Sequence, residues 1–228
     1  LPLDPAEWIL VDDDFTADLQ EKQRLLAERH RQVFAALPGS ERGSREVLLR
    51  LTDHLTRYCP GLYRRDGDIL RRLTDGASFD LSDSPLHPLD LAGRLVQEDL
   101  CLMRPEGESW MLAAASLCFP TRWRLADKIG RPLAPIHAPV PGFAATLGTP
   151  VERFFQRLGS GRAVWRANWG LIDDPALFQP TGHFRTNPAA GVTAENVGAK
   201  LWLRVERQTL LRLPESGDIL FTIRILRE

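Results

Sequence analysis

The sequence predicts an α+β fold: a helical first quarter, a β-hairpin near the middle, a run of short helices, and three strands at the end. Apolar residues recur at helical spacing between positions 17 and 58, and apolar and polar residues alternate in the last third. Pro-Gly pairs and Gly-containing turns fall between these blocks. With 228 residues and 43% hydrophobic content, the chain is long enough to bury a substantial core.

The first helix is expected from Ala17 to Leu37. Leu19, Leu26, Val33, Phe34 and Leu37 share one side, Gln, Glu, Lys and Arg fill the other, and Pro38-Gly39 ends it. A second helix runs from about Ser44 to Tyr58, with Leu48, Leu51, Leu55 and Tyr58 on one side and Pro60-Gly61 as its stop. Tyr63 to Leu73 reads as an extended pair, and the Asp, Ser and Pro residues between Asp75 and Pro88 read as a loop into a short helix around Leu89 to Leu95. Asp99 to Arg104 and Trp110 to Phe119 form a hairpin around Pro105-Glu106-Gly107-Glu108. Thr149 caps a helix to Leu158 with Pro150 at its first position and Val151, Phe154, Phe155 and Leu158 on one face. Strands follow at Ala163 to Ile172, Lys200 to Leu213 and Asp218 to Leu226. This is the element order of a PAS domain. The expectation is a PAS-like five-stranded antiparallel sheet with flanking helices over residues 61–228, on which a helical extension, residues 1–60, packs.

Twenty-nine Lys and Arg balance 30 Asp and Glu, so no overall field draws the chain to nucleic acid or an anionic membrane. The apolar run from Trp110 to Cys118, broken by Ser116, is far below the roughly 20 residues a bilayer requires. Leu1-Pro2-Leu3-Asp4-Pro5 lacks the basic residues and apolar run of a secretory signal, and a cytoplasmic location is expected. Cys59, Cys101 and Cys118 have no CxxC spacing and read as small buried residues. No GxSxG or HExxH pattern points to a hydrolase.

Six blocks occur in one order: Gln97-Glu98-Asp99-Leu100, Asp127-Lys128-Ile129-Gly130, Ile136-His137-Ala138-Pro139-Val140-Pro141, Arg166-Ala167-Asn168-Trp169, Leu203-Arg204-Val205-Glu206-Arg207-Gln208-Thr209 and Phe221-Thr222-Ile223-Arg224. Together they resemble the haem-dependent oxidative N-demethylase alpha-subunit-like family over roughly residues 60 to 226. The resemblance implies a PAS-fold subunit carrying haem b. It also implies oxidation of a small secondary amine such as dimethylamine by dioxygen, with release of formaldehyde. Electrons would come from separate reductase subunits carrying flavin and an iron–sulfur cluster; this chain has no motif for either. A haem PAS sensor and a non-catalytic oxidoreductase subunit remain as alternatives.

Haem iron takes an imidazole or thiolate as its axial protein ligand. His30 and His54 lie in the first two helices and read as structural, and His87 sits just ahead of a helix start, where an end-of-helix role is expected. His137 is held between prolines at positions 135, 139 and 141 in the segment that supplies the iron ligand in haem PAS sensors, and is the expected axial ligand. A histidine that pins the Pro-rich turn through the main chain is the plainer alternative. His183, in Thr181-Gly182-His183-Phe184, is the second choice. Lys128 and Asn168, each inside a matched block, complete the expected cofactor-binding set.

Those sensors turn the far side of the haem to the sheet, where alternation places Arg166 and Asn168, then Trp202, Arg204, Glu206 and Gln208, then Thr222 and Arg224, on the less apolar sides of their strands. Glu206, held by Arg204 or Arg224, is the expected counter-ion of an ammonium substrate, with Arg166 beside it. A solvated sheet face with cross-strand ion pairs accounts for the same pattern. Trp165, Trp169 and Trp202 either wall the pocket or pack in the core, and Glu98-Asp99 is expected at the surface or as a cap.

Overall fold

The computed structural model describes residues 3–138, 148–182 and 191–228. Helices α1 (Phe15–Glu28), α2 (His30–Val33) and α3 (Glu41–Tyr58) occupy the first quarter, with β1 (Phe34–Ala36) between the last two. A small antiparallel sheet follows, built from β2 (Tyr63–Asp66), β3 (Ile69–Arg72) and β4 (Ser78–Asp80), and leads to α4 (Pro88–Gly93). The main sheet contains β5 (Asp99–Glu106), β6 (Ser109–Ser116), β7 (Ala163–Ile172), β8 (Trp202–Arg212) and β9 (Ile219–Arg227). Between β6 and β7 lie α5 (Leu133–His137) and α6 (Gly148–Arg157).

The main sheet has six strands in the order β1-β6-β5-β9-β8-β7, not the five expected, and every neighbouring pair is antiparallel. The extra strand comes from the end of the predicted first helix. Helical structure stops at Val33, and Phe34, Ala35 and Ala36 pair with Ser116, Ala115 and Ala114 at the edge of β6. Satisfying that edge with backbone hydrogen bonds outweighs a local helical pattern worth only tenths of a kcal/mol per residue. Gly39, with φ of 84°, then turns the chain into α3.

Alternation divides the two faces of the sheet, which are covered over β5, β6, β9 and most of β8, while β7 stays largely exposed from Arg166 to Trp169. Leu100 and Leu102 of β5, Leu211 of β8 and Leu220 of β9 meet Leu19 of α1, Val47, Leu48, Leu51 and Leu55 of α3, and Leu89 and Leu91 of α4. These side chains are between 0% and 6% exposed, so this face is a continuous dry core with the first helices. On the opposite face Cys101 and Met103 of β5, Leu210 of β8 and Ile219 of β9 meet Leu133 and Ile136 of α5 and Phe155 of α6. Along β8 beyond Leu210, and on β7 beside it, this second face changes from apolar to polar, while on β9 it stays apolar through Ile223 and Ile225.

Candidate functional site

The register fixes which polar residues share the α5 face. Arg166 pairs with Gln208, Asn168 with Glu206, and Gly170 with Arg204. Since cross-strand partners project to the same side, Arg166, Asn168, Arg204, Glu206 and Gln208 form one array next to Leu210. On β9 the residues paired with Glu206 and Gln208 are Ile225 and Ile223. Arg224 pairs instead with Arg207 and stands on the other face, so the structure does not bring it to Glu206.

The array is tied together by hydrogen bonds. Arg166 Nε donates to Gln208 Oε1 (2.7 Å), and Gln208 Nε2 donates to Glu206 Oε2 (2.9 Å). Thr121 Oγ1 donates to Glu206 Oε1 (2.5 Å) and accepts from Arg204 Nε (3.0 Å). The remaining donors of Arg204 reach main-chain carbonyls: Ala176 from Nη1 (3.0 Å), and Phe119 (2.9 Å) and Leu177 (3.0 Å) from Nη2. Arg204 is 2% exposed, and burial lowers its pKa while the charge of Glu206 acts to raise it. It fixes the Phe119–Thr121 loop and, through Thr121, the Glu206 carboxylate. Asn168 is exposed and its Oδ1 accepts from the Trp169 amide (3.0 Å).

His137 ends α5, half-buried, with Nδ1 2.8 Å from the Leu133 carbonyl. A carbonyl only accepts, so Nδ1 carries the proton and Nε2 of the neutral ring carries the lone pair. Burial lowers the His137 pKa, the Leu133 bond opposes this, and the charges of Lys128 and Arg166 lower it further. Burial and the two cations thus favour the neutral imidazole, which lies within electrostatic reach of both. Lys128 stands 4.1 Å from the Trp123 ring centroid, and burial lowers its pKa against the charges of Glu206 and Asp127. The fold thus gathers His137, Lys128, Arg166, Arg204 and Glu206 on one side of the sheet, while His183 lies outside the described residues.

Several expectations change. Trp165 and Trp169 share the Arg224 face, with Trp165 beneath the Arg207 guanidinium (5.9 Å), so only Trp202 keeps the parity of Glu206. Glu98 and Asp99 are fully buried and not at the surface. Asp99 accepts from the amides of Cys118 (2.7 Å) and Phe119 (2.8 Å), fixing the loop that Arg204 grips, and burial pushes it up to about 6. Burial raises Glu98 as well; its Oε1 accepts from the Leu10 amide (2.9 Å). The other histidines behave as read: His87 Nδ1 caps α4 by accepting from the Leu89 amide (3.2 Å), His30 Nε2 meets Asp90 (2.6 Å), and His54 packs edge-on against Trp8. Thr121 was not singled out from sequence, because one threonine in a loop carries no periodic or motif signal.

The donor set fits a haem. Among the described residues no group of three or more His, Cys, Asp and Glu side chains is placed to hold a metal ion. A porphyrin, however, supplies four nitrogens itself and needs only one axial imidazole, oriented through its other nitrogen as His137 is. Among the described residues no helix is long and apolar enough to cross a membrane. A family model described as "haem-dependent oxidative N-demethylase, alpha subunit-like" matches residues 1–228, and the chain belongs to that family. The match extends the resemblance through the helical first quarter, and the description names a haem-dependent oxidoreductase and one subunit of a larger enzyme.

Proposed function

From membership in the haem-dependent oxidative N-demethylase alpha-subunit-like family, we propose that this chain is the haem b subunit of an enzyme that removes a methyl group from a small secondary amine such as dimethylamine. Dioxygen is the oxidant, formaldehyde and a primary amine are the products, and electrons arrive from reductase subunits carrying flavin and an iron–sulfur cluster. The observation that carries this reading is the His137 geometry: a neutral imidazole with Nδ1 anchored to Leu133 faces the same side of the sheet as Glu206, Arg166 and Lys128. The PAS-like reading of residues 61–228, with residues 1–60 as its helical extension, is supported by the order β6-β5-β9-β8-β7, in which the hairpin lies beside the last three strands.

When bound, the haem supplies the oxidising chemistry, and the chain supplies binding, orientation and proton handling. His137 would hold the haem iron, with Lys128, Asn168 and His183 as the further residues that would bind the cofactor. Glu206 is the counter-ion of the alkylammonium and the acceptor of its proton at Oε1 or Oε2. Thr121 and Gln208 fix that carboxylate from two sides, so that it does not reorient as the substrate's charge changes. Arg204 holds Thr121 and the loop behind it, and Arg166 holds Gln208; both orient the acid. Arg224 acts from the opposite face by anchoring the strand that borders the array.

The test is the absorption spectrum of protein purified from cells supplied with haem precursor, joined to a formaldehyde assay with dimethylamine and a reductant. The reading predicts a Soret band that is lost or shifted in His137→Ala, and formaldehyde release that falls at least ~100-fold in Glu206→Gln, the usual scale for removing a positioned acid–base group. A full Soret band with no formaldehyde from any short-chain methylamine converts the reading to a haem sensor.

A further inference from the structure

The two edges of the main sheet are unlike. β1 has three residues, whereas β7 has ten, with no proline, lysine or acid among them and Arg166 as its one charge. Native sheets shield such an edge with charges, a proline, a bulge or a covering loop, because its open main-chain groups accept another strand. Leu203 of β8 and Glu228 exchange both main-chain bonds (2.7 Å and 3.0 Å), so odd-numbered residues of β8 bond to β9 and even-numbered ones to β7. With Arg166 opposite Gln208, the main-chain groups of Ala167, Trp169 and Leu171 therefore face away from the sheet. The Ala163 carbonyl faces the same way and accepts from the Leu3 amide (3.2 Å), which closes only that end. Among the described residues nothing pairs with Ala167 or Leu171 along this edge, and the Trp169 amide meets only the side chain of Asn168 (3.0 Å). Trp169 and Leu171, 69% and 59% exposed, are also the most exposed large apolar side chains among the described residues, and half-exposed Leu203, Val205 and Leu226 extend them across the sheet.

We propose that β7 pairs antiparallel with β7 of a second copy of this chain, about a twofold axis at Trp169, joining two main sheets into one. Charge favours a copy of the same strand. Arg162 and Arg166 mark one end of β7, Asp173 and Asp174 follow the other, and an antiparallel copy sets each end against its opposite. Residues that meet across such an axis share a face, so the register is restricted. An axis at Arg166 sets like charges opposite each other, and an axis at Ala167 runs the partner's Leu171 into Leu3. The axis at Trp169 sets Ala167 against the partner's Leu171 and Asn168 against the partner's Gly170, stacks the apolar patches of the two copies, and keeps clear of Leu3. It also leaves Arg166 diagonal to the partner's Asp174. Arg166 uses Nε on Gln208, and among the described residues its Nη groups donate to nothing; Asp174 is exposed and accepts only from the Ala176 amide (2.9 Å). The second copy thus supplies an acceptor to the residue that holds Gln208, and through it Glu206. The seam forms with or without a porphyrin, so it stands apart from the haem reading.

Sedimentation velocity of the purified protein over a concentration series measures the seam, with circular dichroism to verify that each variant is folded. A dimer is expected, with a dissociation constant raised at least ~tenfold in Trp169→Lys, which sets two cations across the axis, and less so in Trp169→Phe. Arg166→Asp and Asp174→Arg should each weaken the dimer, and the double variant should regain it. Under mild oxidation Trp169→Cys should cross-link, because residues paired on such an axis lie about 5.5 Å apart between Cα atoms, and Ala167→Cys should not. A monomer at every concentration, a dimer unchanged in Trp169→Lys, or cross-linking through Ala167→Cys instead of Trp169→Cys overturns the proposal. A monomer that binds a different subunit through Trp169 also overturns it and gives the edge to that chain.

Discussion

Arg204 and Arg224 sit on adjacent strands, are 2% and 1% exposed, and point to opposite faces of the same sheet. Arg224 meets carboxylates: Nη1 donates to Asp18 (2.9 Å) and Nη2 to Asp12 (2.5 Å), both from the segment that leads into and begins α1. Gln97 joins the same two acids (2.9 Å each), and Lys22 of α1 caps the carbonyls of Val96 (2.9 Å) and Glu98 (2.5 Å). That network ties the N-terminal helices to β5 and β9, and it leaves Arg224 Nε, Gln97 Oε1 and Glu98 Oε2 buried without a hydrogen-bond partner among the described residues. Arg204 meets three carbonyls and a threonine, which satisfy its donors without cancelling its charge; its nearest acid, Glu206, is reached through Thr121. Arg224 holds the N-terminal helices to the sheet. Arg204 holds the Phe119–Thr121 loop and, through Thr121, orients the Glu206 carboxylate.

That contrast is broken most forcefully at Arg224. Arg224→Met leaves Asp18, 2% exposed by side chain, buried without its main counter-ion, and about 3–5 kcal/mol of stability is expected to be lost in urea unfolding. Glu206→Gln, on the other face, is expected to cost less than ~1 kcal/mol in the same measurement while formaldehyde release falls at least ~100-fold. Equal losses from the two would erase the distinction between the networks.

Arg204→Lys is the intermediate case. It cannot serve Ala176, Leu177, Phe119 and Thr121 at once, and each carbonyl left without a donor costs about 1–3 kcal/mol, offset in part by water entering. Reduced stability together with reduced formaldehyde release is expected, because the loop that carries Thr121 loses its anchor. The smallest effect is expected at Thr121→Val, which keeps shape but removes the hydroxyl between Arg204 and Glu206. A loss of ~1 kcal/mol or less in stability should accompany a clear fall in turnover with an unchanged Soret band, and Thr121→Ser should recover it.

The pH dependence of folding sharpens the comparison further. Burial pushes His54 of α3, packed against Trp8, down to about 4 from an ordinary 6.5, so between those values the unfolded chain binds more protons and stability rises with pH. Burial pushes Asp99 and Asp218 up to about 6 from 3.8, so over that interval the native state binds more protons and stability falls as pH rises. His54→Phe removes only the rising contribution. Unfolding midpoints should therefore decline more steeply between pH 4 and 6 in that variant than in wild type.

Much of the fold was legible because burial imposes period. The α3 stripe of Leu48, Leu51 and Leu55, the hairpin and the last three strands fall within a few residues of their expected positions. The strand at Phe34–Ala36 was not, since its cause is the distant edge of β6 rather than anything local. The same limit governs the site. Alternation correctly put Arg204 with Glu206 and Arg166 with Asn168 on their own strands, but only the pairing of Arg224 with Arg207 and of Glu206 with Ile225 decides which sides coincide across strands. The polar pair Glu98-Asp99 was expected at the surface or as a cap; Asp99 does accept from two loop amides, but sequence does not show the Lys22 and Arg224 charges that accompany the pair into the interior. Thr121 acquires its importance from three elements that converge on it.

The proposed role of His137 is to hold the iron of a porphyrin on the face opposite the structural network. Its most direct test is chemical rescue: His137→Gly, expressed with haem precursor, is titrated with free imidazole and followed by absorption. A Soret band that is absent or displaced in the variant and returns to the wild-type position as imidazole is added is the predicted result. A wild-type Soret band in His137→Gly before any imidazole is added would contradict the claim.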